Sequence, residues 1–293
     1  GVTDLTFDRG FLSLVQMTAL DFLTNADKLF TVVPRLTGLK IALESRPVEQ
    51  LLRAAKLSRL HTLDLSRNPK ATAAEWLNGA RAFTSGPHTV NLQRLRLAHC
   101  QLSGGAALSL LTESEGLRSL RSLDLGGTEF TMDDLGRLGV EPPPSGLRKL
   151  SFAESPTFGN FGASSVANSK LWNRLTTLNL ARTRLDGDGA AALASSPRLE
   201  SLKSLDVSGC DLGDRGARVI SAKPLTPSLK ILDLSGNMIR GEGARALAAS
   251  KHLAQLDVLI VRDNPLGADG AAALGSSKPL AGVRIVGPVV RSV

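Results

Sequence analysis

Tyrosine is absent from this chain of 293 residues, and all aromatics together make up only 4%. That scarcity argues against a nucleic-acid platform that works by stacking bases on aromatic rings. Two cysteines in a chain of this length exclude a disulfide scaffold and point to a reducing compartment, so a cytoplasmic location is expected. No apolar run approaches the roughly 18 residues needed to span a bilayer. Four histidines and two cysteines, scattered along the chain, show no metal-ligand spacing, so no metal and no cofactor is expected. What is abundant is leucine, about one residue in six, and alanine and glycine are also plentiful. Such an excess asks for a repeat.

The pattern L-x-x-L-x-L recurs from Leu60, Leu92, Leu120, Leu147, Leu175, Leu202, Leu229 and Leu256. Weaker matches start at Leu36 and Leu280, and Val2 opens the chain with a further one. From Leu120 to Leu256 successive starts lie 27 or 28 residues apart. The last two apolar positions of the pattern alternate with polar ones, as on one face of a short strand. The ninth position holds Asn68, Cys100, Thr128, Ser155, Thr183, Cys210, Asn237 and Asn264. An Asn there can bond the neighbouring turn's backbone, and Cys or Thr is a smaller substitute. The second half of the rung reads L-x-x-x-G-A-x-x-L, as from Leu185 to Leu193, a short helix packed closely on the strand layer.

This ladder resembles leucine-rich repeats of the ribonuclease-inhibitor type. The resemblance implies an α/β solenoid: a curved horseshoe with parallel strands on its concave face and helices outside. One solenoid of ten or eleven repeats is expected over residues 1–293, irregular in 1–59 and regular in 60–293. The stretch Phe7-Asp-Arg-Gly-Phe11, with Asp21 to Phe30 and Pro34, further resembles bacterial leucine-rich-repeat families of planctomycetes and myxobacteria. Those families often carry a small repeat-companion domain at the N-terminus. By that resemblance, and because both ends read as uncapped, the chain is expected to be a fragment of a longer one.

Several irregularities stand out. Thr18-Ala-Leu-Asp21 reads as a capping box before an amphipathic helix with Leu20, Leu23, Ala26, Leu29, Phe30 and Val33 on its apolar side. The long rung carrying Trp76, the Glu141-Pro-Pro-Pro144 connector and the Phe158-Gly-Asn-Phe161 stretch read as loops, either recognition loops or tolerated variation.

Tempting chemistry has a structural reading beside it. Gly241-Glu-Gly243-Ala-Arg-Ala246 and Gly187-Asp-Gly189-Ala-Ala-Ala192 fit a dinucleotide fingerprint. Related Gly-Ala turns recur at Gly216 and Gly270, whereas a cofactor site should occur once. Cys100 and Cys210 lie four rungs apart, on the order of 20 Å, too far for a disulfide. His99 beside Cys100 suggests a nucleophile and base, but adjacent residues at a strand end point apart. Asp64, Asp124, Asp206 and Asp233 share the fifth position, which Lys40, Arg96, Ser151, Asn179 and Arg284 also occupy. They are either an acidic track or ordinary solvent-facing filler.

The third, fifth and seventh positions should form the open face, and two departures from small polar residues locate candidate binding sites. Arg94, Arg96 and Lys149 form a basic sector. Ile231, Val258 and Ile260 form an apolar cluster with Asp233 and Arg262 at its rim, as at a protein contact or beneath a cap. The expected function is a non-enzymatic protein-interaction module. The formal charge of +8 favours an acidic protein partner, with no membrane partner. Nucleic acid is disfavoured because Lys and Arg are spread over strand edges rather than gathered. Two alternatives remain: a substrate-recognition arm of a larger enzyme, as in leucine-rich-repeat effectors of ubiquitin ligases, and a purely structural, self-associating role.

Overall fold

The computed structural model describes residues 2–8, 11–44, 48–85, 87–112, 117–138, 146–169, 172–196, 198–223 and 225–288. The Glu141-Pro-Pro-Pro144 connector lies outside them, as do Arg9 and Gly10 of the N-terminal stretch and Val289 and Val290 at the other end. The chain divides into two compact units, residues 1–130 with 141–150 and residues 131–140 with 151–293. The fold is a leucine-rich-repeat solenoid of alternating strands and helices.

In the first unit, strands β1 (Val2–Asp8), β2 (Phe11–Thr18), β3 (Gly38–Ala42), β4 (Thr62–Asp64), β5 (Arg94–Arg96) and β6 (Ser122–Asp124) pair in chain order. All are parallel from β2 onward. The exception corrects the sequence reading. β1 runs antiparallel to β2, with Leu5 opposite Val15, so Val2 opens a hairpin and no rung. The first parallel rung is β2 itself, where Val15 and Met17 align with Leu39 and Ile41. Strand β7 (Lys149–Ser151) begins as the earlier ones do, its Lys149 amide donating to the Arg121 carbonyl.

The second unit repeats the plan with β8 (Thr177–Asn179), β9 (Ser204–Asp206), β10 (Ile231–Asp233), β11 (Val258–Ile260) and β12 (Arg284–Val286), all parallel. Outer helices include α7 (Gly187–Ala194), α8 (Gly213–Ala222), α9 (Gly241–Ala249) and α10 (Gly267–Gly275), each packed on the next. Leu229, Leu232 and Leu234 of one rung are wholly buried. Full burial of a leucine contributes about 1.5–3 kcal/mol, so a rung gains its stability by stacking on neighbours.

The ninth position behaves as its residue types imply. Asn237 is wholly buried; its Nδ2 donates to the Val207 carbonyl (2.8 Å) and its Oδ1 accepts from the Cys210 amide (2.9 Å). Asn68 and Asn264 make the same cross-rung bonds. One position earlier lies a feature absent from the sequence reading. Arg67, His99, Glu154, Arg182 and Asp263 have φ of +54 to +61°, and Gly127, Gly209 and Gly236 share the left-handed region. The strain at the non-glycine residues, about 1–2 kcal/mol each, is tolerated because the turn delivers an amide to the next rung, as from Arg182 to the Ser208 carbonyl.

The shorter helices α2 (Val48–Leu52) and α4 (Gly104–Thr112) belong to the first unit and α5 (Met132–Leu138) to the second. Two expected loops are helices as well. Trp76 is buried on α3 (Ala73–Ser85), which starts at a Thr72–Glu75 capping box. The Phe158 stretch opens α6 (Gly159–Asn168), and buried Phe158 stacks on Phe152 at 4.6 Å. In α1 (Ala19–Val32) Thr18 does cap the helix, accepting from the Asp21 amide. Its buried stripe, however, is Ala19, Phe22, Ala26 and Phe30, and Leu20 is exposed.

Candidate functional site

On the strands the fourth and sixth positions are buried, which leaves the third, fifth and seventh on the open face of the sheet. The recurrent carboxylates of the fifth position have a local partner there. Oδ1 of Asp64, Asp124, Asp206 and Asp233 accepts the backbone amide two residues on, at 2.8–3.1 Å. Asn179 makes the same bond to Ala181. These side chains close the turn after the strand, which explains their recurrence without any ligand.

That column also changes the reading of the basic sector. Along the first unit the aligned residues run Lys40, Asp64, Arg96, Asp124, so the signs alternate. Arg96 forms an ion pair with Asp64 at 3.4 Å, and the Asp64 side chain is almost fully buried. Arg94 is exposed in the third column, where Ser122 aligns with it, and Lys149 is exposed at the start of β7. The sector is thus a mixed-charge ladder in which Arg96 is paired, while Arg94 and Lys149 have no acid within ion-pair distance among the described residues.

The apolar cluster is assembled as expected, and it is larger. Ile231 lies directly opposite Val258, and Ile260 lies between Asp233 and Val286. Ile231 is 40% exposed, while Val258, Ile260 and Val286 are half-buried. From β3 onward these four are the large apolar side chains in the third and fifth columns of the described strands. Asp233 borders them but is held by Ser235, through its amide and its hydroxyl. Arg262 is exposed in the seventh position. Arg284 was expected in the fifth column; the ladder places it in the third, opposite Val258, because the last rung is one residue short of the 27-residue spacing. Counting from Ile285 as the fourth position, rather than from Leu280 as the first, would have located both Arg284 and Val286.

The glycine turns are structural. At α9 the amides of Arg240 and Gly243 are bound by Asp214 Oδ1 of the preceding repeat, at 2.8 and 2.9 Å. At α7 Asn160 Oδ1 accepts from Asp186 and Gly189 in the same way. The donors a phosphate would need are already occupied. A Cβ at Gly243 would meet Asp214 Oδ1 at 2.5 Å and Ile239 at 2.8 Å, so this glycine serves helix packing.

Cys100 and Cys210 are free and buried. Burial pushes the Cys100 thiol up to about 12, against the backbone bonds around it, and its Sγ donates to the Leu65 carbonyl. Cys210 is raised for the same reason. Neither thiol is poised as a nucleophile. Among the described residues no three His, Cys, Asp or Glu side chains are grouped to hold a metal ion. No described helix is long and apolar enough to cross a membrane.

Residues 174–194, 198–221 and 227–248 match the family model of the Leucine Rich repeat. These segments contain β8, β9 and β10 with the outer helices that follow them. No curated protein matches the sequence. Among solved structures, an internalin (inlF) from Listeria monocytogenes is 15% identical, with a TM-score of 0.49 over 90% of this chain and 70% of that one.

Proposed function

We propose that this leucine-rich-repeat chain is a non-enzymatic module that binds another protein on its open strand face, the side expected to be concave. Ile231, Val258 and Ile260 are its anchor. One observation supports the reading: four large apolar side chains meet on β10 to β12, whereas the third and fifth columns of β3 to β9 hold Gly, Ser, Thr, Asp, Asn, Arg and Lys. The buried leucines account for the fold without them, so their exposure has no structural purpose within the described residues. Apolar groups in such a place gain about 25 cal/mol for each Å² a partner covers, and energy concentrates on a few central residues of an interface.

The test is quantitative affinity capture with the wild-type chain and a V258D/I260D variant side by side. Both side chains are only half-buried, so the variant should keep its melting temperature within a few degrees while losing the wild-type partner. An unchanged set of captured proteins overturns the reading.

A further inference from the structure

Several cations on this chain are matched locally. Arg96 pairs with Asp64 at 3.4 Å, Arg182 with Glu154 at 3.8 Å and Lys230 with Asp257 at 3.8 Å. Arg215 and Arg218 on α8 pair with Asp188 and Glu242. Two arginines beside the apolar cluster are not. Arg262 and Arg284 are exposed, and no carboxylate among the described residues lies within ion-pair distance of either. Both line one open depression of about 680 Å³, together with Asp263, Val286 and Pro288. The acids nearby do not serve them: Asp257, whose carbonyl accepts the Arg284 amide, has its carboxylate on Lys230. Asp206 and Asp233 are turned to their own turns at Ser208 and Ser235. Asp263, at the tip of the turn beside Arg262, pairs with neither arginine.

We propose that the occupant of this face is an acidic protein segment: one that lays an apolar side chain on Val258, Ile260 and Val286 and sets carboxylates against Arg262 and Arg284. The proposal rests on the strand-face reading above and adds the chemistry of the partner. Apolar contact supplies the anchor, and the two guanidinium groups select sign and register. Each can take a carboxylate through paired N–H donors. Unpaired arginines at the rim of an apolar patch reject a basic segment by like-charge repulsion, which gives selectivity as well as attraction. The chain's formal charge of +8 acts in the same direction at long range.

The experiment screens purified protein against an immobilised library of short random peptides and reads the enriched sequences. Wild type should enrich an apolar residue flanked by Asp or Glu. An R262E/R284E variant should lose that enrichment and bind the selected wild-type peptide at least about tenfold more weakly in a fluorescence-anisotropy titration. R94E, altered in the other unit, should keep both. Acidic enrichment that survives R262E/R284E overturns the proposal. So does displacement of the selected peptide by an equimolar single-stranded oligonucleotide, which would make the occupant a nucleic acid. Uncharged apolar sequences, enriched by wild type and lost by I260D, would remove the acidic partner and leave the strand-face reading standing. No enrichment at all would remove both.

Discussion

Replacing Asn237 by alanine isolates the element that ties the rungs together. The side chain is wholly buried and serves four backbone groups: the carbonyls of Val207 (2.8 Å) and Ser235 (3.2 Å), and the amides of Cys210 (2.9 Å) and Leu212 (3.4 Å). Alanine leaves them without partners where water does not reach. A stranded buried polar group costs about 1–3 kcal/mol, and the two long bonds count for less than the two short ones. The sum is about 4 kcal/mol, at the extreme of single substitutions. Asn237→Cys sharpens the test, because the chain already carries cysteine in this column. Cys210 donates to the Leu180 carbonyl at 3.0 Å and lies 3.7 Å from the Thr183 hydroxyl. The cysteine variant should therefore lose about half as much, since thiol bonds are weaker than amide bonds. Urea unfolding followed by circular dichroism reads the difference, as a fall in midpoint with unchanged slope. If Asn237→Ala loses less than about 1 kcal/mol, or the cysteine variant is the less stable of the two, the cross-rung bonds are not what holds the turns.

Three further outcomes follow from the same structure. Gly243→Ala should destabilise by about 1–3 kcal/mol, because its Cβ meets Asp214 and Ile239; Gly105→Ala, with nothing within 4 Å, should stabilise by about 0.5 kcal/mol in thermal melts. Asp206→Asn should be neutral and Asp206→Ala should cost about 1 kcal/mol, since the turn needs an acceptor for the Ser208 amide and no charge; an acidic binding track would instead make both equally harmful to partner capture. Cys100 and Cys210 should resist Ellman's reagent at neutral pH until denaturant is added. The folded Cys100 thiol titrates near 12 rather than its ordinary 9, so its contribution is fully present below pH 9 and is lost as pH rises toward 12. Urea midpoints of wild type and Cys100→Ser should diverge over that window, and parallel curves would refute it.

The strand core and the ninth-position contacts were legible because they depend on residues that recur at a fixed period, and each rung repeats the same environment. Capping boxes were legible in principle as well: Thr131 and Asp134 satisfy each other's amides as Thr18 and Asp21 were expected to do. The left-handed eighth position was obscured because Arg, His, Glu and Asp occupy it more often than glycine does. Phe158 misled for a related reason: its helix α6 departs from the Gly-Ala pattern yet is anchored by stacking on Phe152.

Leucine spacing alone therefore determined the repeat, its strands and which columns face outward, since burial along a strand alternates with every residue. It also placed Ile231, Val258 and Ile260 together. Only the tertiary structure decided the rest. Arg96 is spoken for by an aspartate 32 residues earlier, while Arg262 and Arg284 have no such partner among the described residues. β1 turns antiparallel, and β12 joins the ladder one residue early, bringing Val286 beside Ile260. These outcomes depend on neighbours a full rung away, where backbone hydrogen bonding sets the register and charge pairing depends on what that register brings within reach.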